Sequence, residues 1–290
     1  MKSLILIELR KTLGNRRFVI SLGFGTLCAA ACLWSVLKTY YSDLGMLGHI
    51  VMLEREGVPV GYDPTQLGNL YQSWIGGAGM NPGSTLFYTL LPLLCALPCG
   101  WGFCEELSSG YLHMAAPLCG RRRYFAAKMA AFLMTGGLVA LVPQLLSLML
   151  TAMFIPAVRP NIVYYIYYPI SHGAMLSGLF YAHPLCYVLI VLGIDFMFGG
   201  LFAWLSMTVA LLTGNRIRAV VIPFLLILAG DLSENLILYV CYWEISPLNI
   251  LHPLSAPNVV KGWIILAWMA LLLAVSVPIL LRKGERYEIS

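Results

Sequence analysis

Hydrophobic residues in this chain are concentrated in six long runs, separated by shorter and more polar segments. The runs cover Phe18–Leu37, Ser84–Cys104, Met129–Phe154, Leu185–Leu212, Val220–Tyr242 and Trp263–Leu281. A helix needs about 20 mostly apolar residues to cross a bilayer, and every run has this length or is one residue shorter. The pattern predicts an all-α polytopic membrane protein, in which residues 18–290 form a single six-span transmembrane domain.

Composition supports the same fold class, since 60% of the residues are hydrophobic and only 11% are charged. A soluble fold with this composition would expose too much apolar surface to water. The first run also has a competing interpretation, because Ala29-Ala30-Ala31 resembles the cleavage site of a signal peptide. The apolar run continues through Trp34 to Leu37, however, and this length favours an uncleaved first span.

The lysines and arginines indicate an orientation. If the N-terminus lies in the cytoplasm, 14 of the 18 basic residues fall on the inner side. The remaining four are Lys38, Arg55, Arg159 and Lys261. By the positive-inside rule this distribution predicts a multi-pass protein of the cell membrane with both termini cytoplasmic. No basic stripe with interleaved aromatic residues is present, so nucleic acid is not an expected partner.

The eight cysteines lie within the predicted spans or near their ends and suggest no disulfide pattern. The pairs Cys28/Cys32 and Cys95/Cys99 each share a helix face, which leaves open a weak site for a soft metal. Packing as small apolar residues is the favoured interpretation. Without a CxxC or histidine-rich motif, we predict no metal site.

The segments outside the runs have distinct characters. Residues 1–17 alternate aliphatic and charged side chains, which predicts an amphipathic interfacial helix with its basic side toward anionic lipid head groups. The predicted outer connections are residues 38–83, 155–184 and 243–262. The first ends in a glycine-rich run that we expect to be flexible. The second contains the tyrosine-rich segment 164–169, which predicts an interfacial aromatic belt, with a substrate-exit surface as the alternative.

The inner connection at residues 105–128 has the pattern of a short amphipathic helix. Its apolar stripe consists of Leu107, Tyr111, Leu112 and Ala115. Glu105 and Glu106 would lie in the first turn, where the helix dipole favours acidic side chains, and Pro117 would end the helix. Three arginines at 121–123 follow. A helix anchored in this way at the membrane surface suits contact with a cytoplasmic partner.

The same connection resembles the one between the second and third spans of type-2 ATP-binding-cassette exporter permeases. The matching positions are Glu106, Gly110, Leu112, Pro117, Arg121, Tyr124 and Lys128. The overall layout is similar too, with an N-terminal amphipathic helix, six spans and a charged tail. One departure is His113-Met114, which replaces the expected alternation of aliphatic and polar residues near the helix centre.

This resemblance implies a permease subunit that forms a translocation pathway together with a second permease copy or homologue. Separate ATPase subunits would drive it through the 105–128 connection, whose coupling helix would include Tyr111. The chain has no Walker A motif, because none of its six lysines follows a glycine. We therefore expect no enzyme activity and no cofactor in this chain, with ATP and Mg bound by the partner ATPase. The apolar spans suit an amphipathic substrate such as a peptide, lipid or hydrophobic drug.

Acidic residues within the predicted spans are candidates for the translocation pathway. Asp195 lies about 15 Å into the fourth span, since a helix rises about 1.5 Å per residue. Asp231 and Glu234 share one face of the fifth span. Intramembrane carboxylates normally face the protein interior or water, and no lysine or arginine is expected deep in a span to pair with them. The expected partners are Gln144, Ser147 and Asn235, or a proton on the carboxyl group.

The alternatives for these residues remain open. Asp195 could serve only in a buried structural hydrogen bond, and Asp231 and Glu234 could lie on a wet outer segment. A protease of the CAAX intramembrane type is a rival class, suggested by Glu105-Glu106. It requires an arginine where this chain has Gly110, and a phenylalanine four residues before its histidine, whereas Phe180 is three before His183. A membrane sensor or immunity subunit is the other alternative.

Overall fold

A computed structural model of the chain describes residues 2–56, 68–79, 81–112, 114, 120–161, 170, 175–237, 243–254 and 259–286. Its helices are α1 (Lys2–Leu13), α2 (Arg16–Arg55), α3 (Leu70–Ser73), α4 (Pro82–Ala96), α5 (Gly102–Ser108), α6 (Arg121–Ala152), α7 (Ser177–Ala182), α8 (Pro184–Thr213), α9 (Arg216–Ile237), α10 (Pro247–Ile250) and α11 (Gly262–Arg286). A π-helical turn at Leu97–Trp101 joins α4 to α5. The second predicted span is therefore one continuous helical segment.

Within the described part of the chain, five helical segments are long and apolar enough to cross a membrane. They are Arg16–Gly45, Pro82–Ser108, Arg121–Ala152, Pro184–Thr213 and Gly262–Arg282. These segments correspond to the first four predicted runs and the sixth, and they confirm an all-helical membrane protein. Helix α9 covers most of the fifth run but is not among the five, and residues 238–242 lie outside the described part of the chain. The fifth predicted span, Val220–Tyr242, therefore stays a prediction.

Helices α6 and α8 form the most extensive helix pair of the bundle. Their backbones approach closely at Gly136 and Gly199, where a Cβ atom on Gly199 would lie 2.6 Å from the carbonyl oxygen of Gly136. Small residues at such crossings allow the close packing on which helix association in lipid depends. The outer faces of the bundle carry exposed apolar side chains, including Leu27, Trp34 and Leu266. Such faces suit contact with lipid.

The glycine-rich run before α4, which we expected to be flexible, is tied to the core. Trp74 and Ile75 are fully buried. The backbone N–H of Ile75 donates to Ser147 Oγ at 3.1 Å, and the hydroxyl of Ser84 donates to the Ile75 carbonyl. These bonds join the first outer connection to α4 and α6. The segment 164–169, predicted to be an aromatic belt, lies outside the described residues.

Candidate functional site

Four helix ends meet at one end of the bundle, which we call the charged end. The start of α2 brings Arg17, α5 brings Glu105, the first turns of α6 bring Lys128, and the start of α9 brings Arg216. Connections between helices place these ends together, so residues that are distant in sequence become neighbours in space. The ion pairs that these four helices and α1 make among the described residues include a buried charged cluster and a partly exposed group.

The buried charged cluster centres on Lys128, whose side chain is fully buried. Its Nζ atom lies 3.0 Å from Glu8 Oε2 and also contacts Glu106 Oε2. The hydroxyl of Tyr124 donates to Glu106 at 3.2 Å. The aromatic rings of Phe103 and Phe132 lie beside the ammonium group, within 5.5 Å. A buried ammonium ion is tolerated here because two carboxylates from other helices compensate its charge.

Lys11 completes this cluster from α1. Its Nζ atom lies 2.8 Å from Glu106 Oε1 and 3.8 Å from the centroid of the Tyr111 ring. The cluster therefore holds two ammonium groups and two carboxylates, and its formal charge is zero. Further along α1, Thr12 Oγ1 makes a 2.9 Å hydrogen bond with Thr135 Oγ1 of α6. Helix α1 thus binds the bundle through polar contacts, which the expectation of an interfacial helix did not include.

The partly exposed group surrounds Glu105. The guanidinium of Arg17 donates to both carboxylate oxygens, at 2.7 and 2.5 Å. The indole N–H of Trp101 donates to the same carboxylate at 3.2 Å, and a guanidinium nitrogen of Arg216 lies 3.6 Å from Glu105 Oε1. This bidentate geometry fixes the end of α5 against the start of α2. A cleft of about 280 Å³ opens beside it, lined by residues of both groups that include Lys11, Asn15, Glu105 and Glu106.

The structure places the predicted coupling residues in different environments. Glu106 and Tyr124 belong to the buried charged cluster, as does Lys128. Gly110 has a φ angle of +72°, which favours glycine, and it turns the chain after α5. Arg121 is exposed at the first position of α6. Pro117 lies outside the described residues.

The two apolar positions after Gly110 differ in exposure. Leu112, which we expected to contact a partner, is only 3% exposed and packs in a core cluster with Phe103 and Tyr124. Met114 is 67% exposed. Glu105 and Glu106 lie in α5, which continues the second span, so the connection is joined to that span more directly than its sequence suggested.

Asp195 and Gln144 meet inside the bundle, away from the charged end. Both side chains are fully buried. The hydroxyl of Tyr88, on α4, donates to Asp195 Oδ2 at 3.1 Å. Gln144 faces the same carboxyl group from α6, but neither of its amide atoms has a hydrogen-bond partner in standard geometry. We call Asp195, Gln144, Tyr88 and the nearby Tyr187 the Asp195 site.

Asp231 lies in α9 and receives a hydrogen bond from the hydroxyl of Ser246. The same hydroxyl caps α10 by accepting from the backbone N–H groups of Leu248 and Asn249, at 3.2 and 3.3 Å. Asp231 therefore holds the connection between α9 and α11 in place. The backbone of Glu234 is helical, and its side chain is outside the described part of the structure.

His252 is a buried titratable group that the sequence did not single out. Its ring stacks on Tyr88 with centroids 4.7 Å apart, and its Nε2 atom lies 3.2 Å from Ser84 Oγ. Burial lowers the pKa of His252 to about 3, while a hydrogen bond with the backbone of Ile75 acts in the opposite direction. The imidazole is therefore neutral at physiological pH.

Sequence reasoning also missed the buried pair of Glu8 and Lys128. The sequence pattern places Lys128 in the connection at residues 105–128 and Glu8 in the amphipathic helix predicted over residues 1–17. One available signal was that Glu8 is the single acidic residue among the five basic residues of the first 17. An isolated acidic residue in a basic segment can mark a contact with a cation elsewhere in the chain.

Comparisons with known proteins add no family assignment. No protein-family model, curated protein or solved structure matches this chain. Over the described residues, no group of three or more histidine, cysteine, aspartate or glutamate side chains could hold a metal ion. The function must therefore be argued from the sequence pattern and the two polar regions of the bundle.

Proposed function

We propose that this chain is the membrane-spanning permease subunit of an ATP-binding-cassette exporter. In this proposal α9 and the residues after it form the fifth of six spans, and the charged end faces the cytoplasm. The chain pairs with a second permease copy or homologue, and cytoplasmic ATPase subunits bind ATP and Mg. The pathway between the permeases carries an amphipathic substrate.

The observation that supports this proposal best is the buried charged cluster. An exporter needs a rigid link between the site at which the ATPase pushes and the helices that move. Lys128 and Glu106 join both ends of the 105–128 connection, and Glu8 and Lys11 attach α1 to the same point. A displacement of the connection would therefore move α1, α5 and α6 together. Packed elements joined by ion pairs are the kind of network that carries such coupling.

The exposed side of the connection is the proposed ATPase contact. Met114 is exposed beside the buried Leu112, and Ser108 and Ser109 are exposed just before the turn at Gly110. A flexible methionine is a common anchor in protein interfaces. Leu112 then supports this surface from within and does not contact the partner.

The rival protease function finds less support. The carboxylates of Glu105 and Glu106 are held by Arg17 and Lys128 at the charged end. His183, the histidine considered for that function, directly precedes α8 and makes no capping hydrogen bond, whereas the last turns of α8 pack beside Phe103 and Tyr124 near the charged end. The two carboxylates lie near one end of α8 and His183 lies at the other, and this separation argues against a shared catalytic site.

The decisive experiment is copurification of the chain with an ATPase whose ATP turnover depends on it. Replacing Met114 with Asp should weaken this association and reduce turnover at least several-fold, because anchors at an interface commonly contribute more than about 1 kcal/mol. Asn215→Asp is a matched control. It adds a carboxylate at the same end outside the connection and keeps a residue type that caps α9. Equal binding by wild type and Met114→Asp would overturn the coupling assignment.

A labelling experiment tests the number of spans independently. In a background without native cysteines, Ser290→Cys should react with an impermeant reagent only from the cytoplasmic side, as should Met114→Cys. An even number of spans between positions 114 and 290 places both positions on the same side of the membrane. Labelling of position 290 from outside would leave an odd number of spans and would contradict the six-span permease. Correct topology without any copurifying ATPase would instead favour a sensor or immunity subunit.

A further inference from the structure

The Asp195 site contains several buried polar atoms without partners. Among the described residues, Asp195 Oδ1, both amide atoms of Gln144 and the hydroxyl of Tyr187 lack a hydrogen-bond partner in standard geometry. Tyr187 precedes Asp195 by two helical turns and so lies on the same face of α8. Buried polar atoms are almost always hydrogen-bonded. Several unpartnered atoms at one place therefore indicate a bound species that completes the site.

The negative charge of the Asp195 carboxylate limits which species can complete the Asp195 site. None of the lysines and arginines that the structure describes lies within 4.0 Å of Asp195, and the nearest partners are neutral phenol and amide groups. A fully buried carboxylate without a cation is costly. The negative charge must therefore be neutralised by a proton or by a metal cation.

The number of available ligands favours the proton. Hard cations such as Ca²⁺ and Mg²⁺ bind about six or more oxygen atoms. The unpartnered oxygens of the site are Asp195 Oδ1, Gln144 Oε1 and the Tyr187 hydroxyl, which are too few for such a shell. A proton needs one carboxylate oxygen and one acceptor, and the Gln144 amide, which faces the carboxyl group, carries an oxygen that can accept after the amide is flipped.

We propose that the Asp195 site binds a proton, so that Asp195 is a neutral carboxylic acid within the bundle at physiological pH. The proton comes from water and binds at Oδ1, and the Gln144 amide turns its oxygen toward the carboxyl group, so that Oδ1 donates a hydrogen bond to Gln144 Oε1. Oδ2 keeps its bond from Tyr88. Gln144 Nε2 and the Tyr187 hydroxyl remain for ordered water, the usual partner of such groups.

The titratable groups around Asp195 do not compete with it for the proton. They are Tyr88 from α4, Tyr187 from α8, Cys32 from α2 and His252, which stacks on Tyr88. The phenols are hydrogen-bond donors in their neutral form, and burial keeps His252 uncharged. The inference depends on the helical bundle and is independent of the exporter function, so either proposal can fail without the other.

Infrared spectroscopy of the purified full-length chain in lipid nanodiscs tests the proposal directly. A protonated carboxyl group has a C=O stretching band that carboxylates lack. At neutral pH the spectrum of wild type minus that of Asp195→Asn should contain this band, and the band should shift in D₂O. A difference spectrum that contains only carboxylate bands would overturn the proposal.

Two further measurements locate the proton and separate it from a metal cation. Tyr88→Phe retains Asp195 and removes the hydrogen bond to its carbonyl oxygen, so the band should move to higher frequency. Tyr187→Phe is the matched control and should leave the frequency unchanged. A shift in Tyr187→Phe alone would refute the proposed hydrogen bonds. Loss of the band on adding NaCl, but not choline chloride, would show that the site prefers a sodium ion and would also overturn the proposal.

Discussion

The buried charged cluster and the Asp195 site bury carboxylates by different means. At the charged end, Glu8 and Glu106 meet Lys128 and Lys11, and opposite charges from separate helices balance one another. In the Asp195 site the partners are neutral, and one carboxylate oxygen has none. The comparison shows that helix packing can compensate a buried charge where distant parts of the chain supply a counter-ion. Where no counter-ion is available, as in the Asp195 site, we propose that the buried carboxyl group becomes neutral by binding a proton.

The strongest test of this difference is removal of the central cation. Lys128→Met should destabilise the protein by about 3–5 kcal/mol, because Glu8 and Glu106 would remain buried with too little positive charge. Thermal unfolding in detergent at neutral pH measures the effect. Lys11→Met should cost far less, since the Lys11 side chain is 40% exposed.

A combined variant checks the reason for that loss. Lys128→Met together with Glu8→Gln and Glu106→Gln removes all three charges at the centre of the cluster. Most of the lost stability should return, because no uncompensated buried charge remains. If the triple variant is as unstable as Lys128→Met alone, the stability is lost because the lysine stem no longer packs in the cluster, and the charge is not the cause.

The second test changes the helix pair that carries the Asp195 site. Gly199→Ala places a methyl group against the backbone of Gly136, 2.6 Å from its carbonyl oxygen, and should cost about 1–3 kcal/mol. Gly193 lies on the same helix, and apart from its chain neighbours and the nearby backbone of its own helix no atom lies within 4 Å of the position that a Cβ atom would take there. Gly193→Ala should therefore leave the unfolding temperature unchanged or slightly higher. Equal effects of both variants would contradict the close crossing of α6 and α8.

His252 provides a test by pH. The unfolded chain binds a proton on this residue below about pH 6.5, whereas the folded protein does so only near pH 3. Stability should therefore fall as pH decreases between these values, by about 1.4 kcal/mol per pH unit from this group. His252→Gln removes the titration and should flatten the profile between pH 6.5 and 5. A profile identical to that of wild type would place the imidazole in contact with water.

The smallest effect is expected at the partly exposed ion pair. The side chains of Arg17 and Glu105 are 25% and 37% exposed. Arg17→Gln should therefore cost less than about 1 kcal/mol, and the difference from wild type should shrink in high salt. Denaturant titrations at two ionic strengths measure this. A loss as large as that of Lys128→Met would show that exposure does not separate the two groups of ion pairs.

The helices were predictable because hydropathy is a local property of the sequence. Five of the six runs are helices of spanning length, and their residues alone establish this. Contacts between helices were not predictable in the same way. Glu8 and Lys128 are separated by 120 positions, and nothing near either residue indicates the other. Helix α6 likewise begins at Arg121, eight residues before its apolar run, and pairing with Glu8 and Glu106 allows Lys128 to be buried within it.

For the candidate site residues too, local sequence features were predictable and contacts between helices were not. Asp195 was predictable as a buried polar residue with Gln144 nearby, because charged residues in apolar runs are rare and must face the interior. The assignment of Tyr88 and Tyr187 to that site required the packing of α4 and α8. Leu112 and Met114 have similar side chains, and only the tertiary structure shows that one is buried and the other exposed.

The π-helical turn at Leu97–Trp101 has a consequence for how the second span faces its neighbours. Each residue of an α-helix advances about 100° around the axis, and a π-turn accommodates an additional residue. Compared with an uninterrupted α-helix, the half of the span that carries Tyr88 is therefore offset in angle about the helix axis from the half that carries Glu106. One half can face the Asp195 site while the other faces the buried charged cluster. A helical stripe traced at constant pitch through this span would lose its phase at Pro98.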